Sequence, residues 1–293
     1  MGIPYKKVLT LGHSLALDAC HMLAGVVAAE GEQLEIATLY DSGCPLFRHV
    51  EYLQGDIPKY SLHVSSTETP GLPPKVIKEV TMGEAIVYSD FDLIMMQGGT
   101  FEIAGSETYT NGNIQIIQDY VNQKKRNPDA VFAWHMPWAF ATDPELMAKY
   151  PLQPNVYISR YKNYDTDRVR LYEAFCKCVT DHILTDDTFR FVIPTGTAME
   201  NALSGSLTEK DLLHDYAHAS DLGRLLAAYT WYCVLAGVKE LPEMKMTTIP
   251  AALRRGGKAA GDRPLTDLEQ KILLEAVNNT LKNPLTLTKS QYV

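Results

Sequence analysis

Val8-Leu9-Thr10-Leu11-Gly12-His13-Ser14-Leu15 is the stretch on which the fold turns. A short apolar run ends at Gly12, a serine follows two residues later, and an amphipathic segment begins directly after it. That order reads as a strand, a tight turn and a helix, with Ser14 at the turn. The helix expectation covers residues 15–30, where Leu17, Cys20, Leu23, Val26 and Val27 recur at helical spacing and Gly31 follows as a stop signal.

The same pattern repeats outward. Further apolar strands are predicted over 33–40, 91–97, 130–135 and 189–194, and helices over 114–125, 168–184, 221–236 and 265–281. Residues 46–54 suit a short helix, and the Ser-, Thr-, Pro- and Gly-bearing stretch 61–74 a surface hairpin. Five short strands alternating with helices predict an α/β fold with a central, mostly parallel sheet covered on both faces. A single domain over 1–293 is expected, with 260–293 a C-terminal helical appendage packed on it.

The chain has 293 residues, 46% hydrophobic and 21% charged, which suffices for an ordinary globular core. A net charge of -8 disfavours bulk nucleic-acid binding. No run of about 18 apolar residues is present, so no membrane span is expected. The start, Met1-Gly2-Ile3-Pro4-Tyr5-Lys6, lacks the apolar core of a secretory signal. Composition leaves the compartment open: secreted or periplasmic if a leader has been removed, cytoplasmic otherwise. Five scattered cysteines do not form a disulfide framework, and Cys176 and Cys178 point to different sides of their helix. The oligomeric state is not specified.

In an open α/β sheet, ligands bind beyond the carboxyl ends of the strands. Those ends hold Gly12-His13-Ser14, Asp41-Ser42-Gly43, Gln97-Gly98-Gly99, His135-Met136-Pro137 and Pro194-Thr195-Gly196. Ser14 is the candidate nucleophile, although a serine at a helix start is also a common N-cap. Asp215 and His218, three residues apart, suit an acid that orients a general base. The plain alternative is helix capping by Asp215, Ser220 or Asp221, with His218 on the surface. His214 is a competing base that lacks an acid three residues before it. An oxyanion hole could draw on the Ser14 amide, the Gly43 amide and the Gln97 side chain. Gly43 could equally be a plain turn and Gln97 a strand-end cap. His13, His135 and Trp138 are candidates to contact substrate, the tryptophan by stacking on a sugar; a core-edge cluster is the alternative for His135 and its tryptophan neighbours. Tyr157, Tyr161 and Tyr164, with Arg160 and Lys162, could wall a cleft or cover the sheet.

Gly12-His13-Ser14 after the first strand, a glycine after the second, an amide after the third and Asp-x-x-His near the end resemble the SGNH/GDSL hydrolase superfamily. Leu-Gly-His-Ser, Ser-Gly-Cys-Pro-Leu-Phe-Arg-His, Met-Gln-Gly-Gly, Trp-His-Met-Pro-Trp-Ala and Leu-Gly-Arg-Leu-Leu-Ala-Ala-Tyr-Thr-Trp-Tyr are similar to its bacterial DUF4886 branch. The resemblance implies a three-layer, flavodoxin-like α/β/α fold. It also implies Ser14 as nucleophile, His218 as base, Asp215 as its orienter, and Ser14, Gly43 and Gln97 as the oxyanion hole. The chain departs from the pattern twice: His13 stands where Asp or Asn is usual, and Gln97 stands where Asn is usual, with Thr100 a second donor nearby.

The expected activity is that of a serine esterase removing a small acyl group, acetyl above all, from a carbohydrate or related small substrate through an acyl-enzyme. No metal or cofactor is expected. A lipid esterase or thioesterase of the same mechanism, or a catalytically decayed carbohydrate-binding module, are the alternatives.

Overall fold

A computed structural model describes residues 2–99, 102–149, 164, 167–257 and 261–293. Thr100, Tyr157, Arg160, Tyr161 and Lys162 lie outside the described residues.

The strands are β1 (Lys7–Gly12), β2 (Glu35–Tyr40), β3 (Tyr60–Ser66), β4 (Lys75–Val80), β5 (Leu93–Met96), β6 (Val131–His135) and β7 (Phe189–Ile193). They form one seven-stranded sheet in the order β4-β3-β2-β1-β5-β6-β7. Five of them, β2-β1-β5-β6-β7, are parallel, and these are the strands expected from the sequence. The two additional strands correct the expected five. They are the hairpin β3–β4, which joins β2 antiparallel instead of lying on the surface. β3 brings Tyr60 and Leu62 to the core, whereas β4 carries Lys75, Lys78 and Glu79 on a largely exposed edge. Charge on an exposed edge opposes pairing with another chain. With the hairpin set aside, the parallel strands follow the flavodoxin-like order, whose direction reverses between β1 and β5.

The major helices are α1 (Ser14–Cys20), α2 (Leu23–Ala29), α3 (Leu46–Gln54), α4 (Asn113–Lys124), α5 (Arg168–Cys178), α6 (Thr195–Leu203), α7 (Asp221–Leu235) and α8 (Asp267–Lys282). The single helix expected over 15–30 is two helices, α1 and α2, with His21 and Met22 between them. Helix α5 runs on into a π-helical turn at Val179–Ile183. Two groups flank the sheet: α3 packs with α4, while α1, α2, α6 and α8 gather around α7. Helix α7 is apolar almost all round and nearly wholly buried, as a helix at the centre of such a group must be. Helix α8 buries Ile272, Leu273, Ala276 and Val277 and packs on α6 and α7. Among the described residues, no helix is long and apolar enough to cross a membrane.

Candidate active site

The turn after β1 is shaped by close packing. A Cβ on Gly12 would lie 2.8 Å from both Ala16 Cβ and Gln97 Oε1, so only glycine lets α1 leave the sheet here. Helix α1 then starts at Ser14, and its N-cap is His13, not the serine. The Leu15 N–H donates to His13 Nδ1 (3.4 Å), and His13 Nε2–H donates to the Gly98 carbonyl (3.3 Å). His13 thus supplies the cap acceptor that Asp or Asn would supply at this position. It is 4% exposed. Burial, reinforced by nearby His218 and opposed by the Gly98 bond, pushes its pKa down to about 4, so it is neutral at pH 7. A buried cap cannot line a substrate cleft, which corrects the expectation for His13. The same arrangement leaves Ser14 without a capping duty. Its Oγ and its N–H have no hydrogen-bond partner among the described residues, in keeping with the first helical position, where backbone N–H groups lack intrahelical acceptors.

Behind this turn the strand ends are braced by one buried chain of hydrogen bonds. The His13 N–H donates to Gln97 Oε1 (3.4 Å), Gln97 Nε2 donates to His135 Nδ1 (3.0 Å), and His135 Nε2–H donates to Thr195 Oγ1 (2.9 Å). One residue comes from the end of each of β1, β5, β6 and β7. Gln97 and His135 are fully buried, and Trp231 packs edge-on against the His135 ring. Burial, with His13 nearby, lowers the His135 pKa to about 3, so it stays neutral and keeps its bonding pattern. Two sequence expectations are corrected here. The Gln97 amide is buried and engaged by His13 and His135, and is not presented as an oxyanion donor. His135 is a brace and has no surface to offer a substrate.

Trp138 is corrected for a similar reason. It is 1% exposed, and its indole N–H donates to the Ala217 carbonyl (2.7 Å). It supports the strap of chain that carries His218. Ala141 N–H, donating to the Tyr216 carbonyl at 2.8 Å, fastens the same side.

The strap, 213–219, closes on itself: Leu213 bridges Ala219, and the His214 N–H donates to the His218 carbonyl (2.7 Å). Asp215 sits inside this loop. Its Oδ1 accepts from the Ala217 and His218 amides (2.9 and 2.8 Å), and its Oδ2 lies 2.8 Å from His218 Nδ1. Burial alone would raise the Asp215 carboxyl; the His218 imidazole and the two amides outweigh it and hold the group far below the usual carboxylate range. An ionised Asp215 accepts only, so His218 Nδ1 carries the proton and Nε2 holds the lone pair when the ring is neutral. The His218 side chain is 25% exposed and that of Asp215 9%. His214, the competing base, is exposed.

Asp18 brings strap and helix together. It lies one turn beyond Ser14 on α1, is 3% exposed, and its Oδ2 accepts the Ala219 N–H (2.9 Å), the residue directly after His218. Arg224 on α7 donates to Asp18 Oδ1 from Nε and Nη2 (2.8 and 2.5 Å), and Arg255 reaches both Asp18 oxygens (3.0 and 2.9 Å). Local sequence pattern does not disclose this cluster. The available signal was an acid among Leu15, Ala16, Ala19 and Cys20, since a carboxylate on a buried face demands a cation.

Gly43 follows β2, whose last residue Tyr40 is in register with Gly12. Its φ of +57° and the open space about its Cα suit glycine, and its N–H has no acceptor among the described residues. The loop is pinned by Glu102, which accepts from Leu46 N–H (3.1 Å) and Gly99 N–H (2.9 Å) and so ties the turns after β2 and β5. Glu102 also went unread in the sequence. Among the described residues no three His, Cys, Asp or Glu gather as a metal site would require.

The family described as "Domain of unknown function (DUF4886)" matches residues 7–249. A solved DUF4886 family protein from Bacteroides uniformis is 22% identical, with 97% of each chain covered and a TM-score of 0.77. A protein from Slackia heliotrinireducens proposed to be an SGNH hydrolase is 16% identical, over 78% of this chain and 97% of that one, with a TM-score of 0.46. An α/β hydrolase enzyme from the metagenome of Lake Arreo, Spain, is 10% identical, over 81% of this chain and 97% of that one, with a TM-score of 0.43. No curated protein sequence matches.

Proposed function

The chain belongs to the DUF4886 family, and from the site built on that fold we propose that it is a serine hydrolase of the SGNH type that cleaves esters of short acyl groups, acetyl in the first instance. The observation that carries this reading is the Asp215–His218 pair, which leaves His218 Nε2 with a lone pair, on a strap fastened to the helix that begins at Ser14.

In this mechanism His218 Nε2 takes the Ser14 Oγ proton as Oγ attacks the carbonyl carbon. Asp215 holds the ring in its Nδ1–H form and stabilises the imidazolium that results. The tetrahedral oxygen meets the Ser14 and Gly43 amides. The imidazolium gives its proton to the departing alcohol, and the acyl group remains on Ser14. A water deprotonated by His218 then releases the acid. No step calls on Gln97. The alcohol portion is assigned to a carbohydrate on the family resemblance; with His135 and Trp138 buried, neither side chain adds support to it. Capping of α1 by His13 supports an intact site over a decayed one, because the helix start is complete without the usual Asp.

Hydrolysis of p-nitrophenyl acetate by the purified protein tests the proposal. Ser14→Ala should lower kcat by at least about a thousandfold. Undiminished activity in that variant refutes the mechanism whatever the natural substrate.

A further inference from the structure

The family match ends at residue 249, yet the chain beyond it returns to the site. Arg255 lies in the segment after the short strand Thr248–Ile249. Its main-chain N–H donates to Asp221 Oδ1 (2.8 Å), and Arg254 Nε donates to Asp221 Oδ2 (3.0 Å). Asp221, in the first turn of α7, therefore anchors this segment. From there the Arg255 guanidinium donates through Nε to the Ala219 carbonyl (2.8 Å) and through Nη2 to Asp18.

Charge balance alone does not account for Arg255. Asp18 already has Arg224 bound through two nitrogens, and one guanidinium neutralises one carboxylate. Asp215 and Asp221 also lie close enough to favour the Arg255 charge, but neither accepts a hydrogen bond from its guanidinium, which is spent on Asp18 and the Ala219 carbonyl. What Arg255 adds is the bond to Ala219. With Asp18 accepting the Ala219 N–H and Arg255 donating to the Ala219 carbonyl, both polar groups of the residue after His218 are gripped. Asp215 orients the imidazole; this clamp fixes the main chain from which the imidazole hangs. Because Asp18 stands on the helix that begins at Ser14, the spacing between the Ser14 helix and the His218 strap is set across the clamp.

We propose that Arg255 is a positioning residue for His218, so that the segment after Thr248–Ile249 completes the hydrolase site. This rests on the serine-hydrolase reading above. Misplacement of a catalytic group by about 1 Å can cost about a hundredfold in rate. Loss of Arg255 should therefore slow the chemistry while leaving substrate binding nearly intact.

The experiment compares wild type, Arg255→Ala and Arg255→Lys. Three quantities are read: the rate at which a fluorophosphonate labels Ser14, kcat and KM for p-nitrophenyl acetate, and hydrogen exchange at the Ala219 amide. Arg224 remains to neutralise Asp18, and the Arg255 side chain is 26% exposed, so folding should survive. Arg255→Ala should lower labelling and kcat by about 10- to 100-fold, with KM within about threefold. The Ala219 N–H keeps Asp18 as its acceptor, but its exchange should accelerate about tenfold or more, because opening of the strap no longer has to break the Arg255 bond to the Ala219 carbonyl. Arg255→Lys should recover part of the loss, because a single ammonium cannot match the fork that spans Asp18 and Ala219. Labelling and kcat at wild-type levels in Arg255→Ala overturn the proposal, as does unchanged Ala219 exchange. If wild type itself does not label, the serine-hydrolase reading fails, and Ala219 exchange still decides whether Arg255 holds the strap.

Discussion

Asp215 performs two tasks with its two oxygens, and Asp215→Asn separates them. Oδ1 accepts from the Ala217 and His218 amides and shapes the strap, while Oδ2 accepts the shorter bond from His218 Nδ1–H (2.8 Å, against 3.0 Å to Oδ1). Asparagine keeps an acceptor for the two amides but turns its NH2 toward the ring. His218 Nδ1 must then accept, the proton moves to Nε2, and the nitrogen proposed to act on Ser14 is no longer basic. The wrong tautomer should lower kcat by about 10³- to 10⁴-fold, equivalent to roughly 4 to 5.5 kcal/mol of barrier. Folding stability should fall by only about 1.5 to 3 kcal/mol, the range for one hydrogen bond to a charged group. Asp215→Ala should lose more stability, because two buried amides are left without acceptors. Steady-state kinetics on p-nitrophenyl acetate and thermal unfolding of the three proteins read the two effects apart. A kcat/KM for Asp215→Asn within about threefold of wild type would refute the role given to the pair.

Gln97→Leu strips an acceptor from His13 N–H and a donor from His135, so stability should fall by about 1 to 3 kcal/mol with a much smaller change in kcat; a hundredfold loss of kcat at unchanged Tm would restore Gln97 to the oxyanion hole. Gly43→Ala meets no neighbouring atom but must hold φ at +57°, a strain of about 1 kcal/mol, and the resulting tilt of the amide should lower kcat about tenfold with little change in KM; wild-type kcat would remove Gly43 from the mechanism. Buried His13, His49 and His135 have pKa values lowered to about 4, 3 and 3, so the folded state binds fewer protons than the unfolded one below pH 6.5. Their contribution is complete above pH 6.5 and is lost as pH falls toward 4 and 3. Glu200, raised to about 7 chiefly by burial, runs the other way and loses stability as pH rises from 4.5 to 7. Three groups outweigh one, so Tm should fall steadily from pH 6.5 to pH 4.5, and a Tm that rises over this interval contradicts the neutral assignment of the histidines.

The parallel core was legible because its strands are apolar runs buried on both faces, as in Leu93–Met96, and runs of that kind need no tertiary context to be recognised. The hairpin β3–β4 was missed as sheet because β4 buries little more than Val80, leaving a charged pattern indistinguishable from a loop. The pairing of Asp215 with His218 could be read from a spacing of three because both partners lie in one turn. Glu102, Asp18, Arg224 and Arg255 could not be read in this way. Asp18 and Arg255 are 237 positions apart, and local spacing carries no information about such a contact.

Sequence alone therefore determined the strand-turn-helix at Gly12-His13-Ser14, the mostly parallel sheet and the acid three residues before His218, all of which follow from local pattern. Tertiary structure decided what each polar side chain at the strand ends faces. It made His13 the helix cap and left Ser14 uncommitted, and it turned Gln97, His135 and Trp138 inward as supports. The physical reason is that a buried polar group must find a partner, and the identity of that partner is set by which elements pack together rather than by neighbours in the chain.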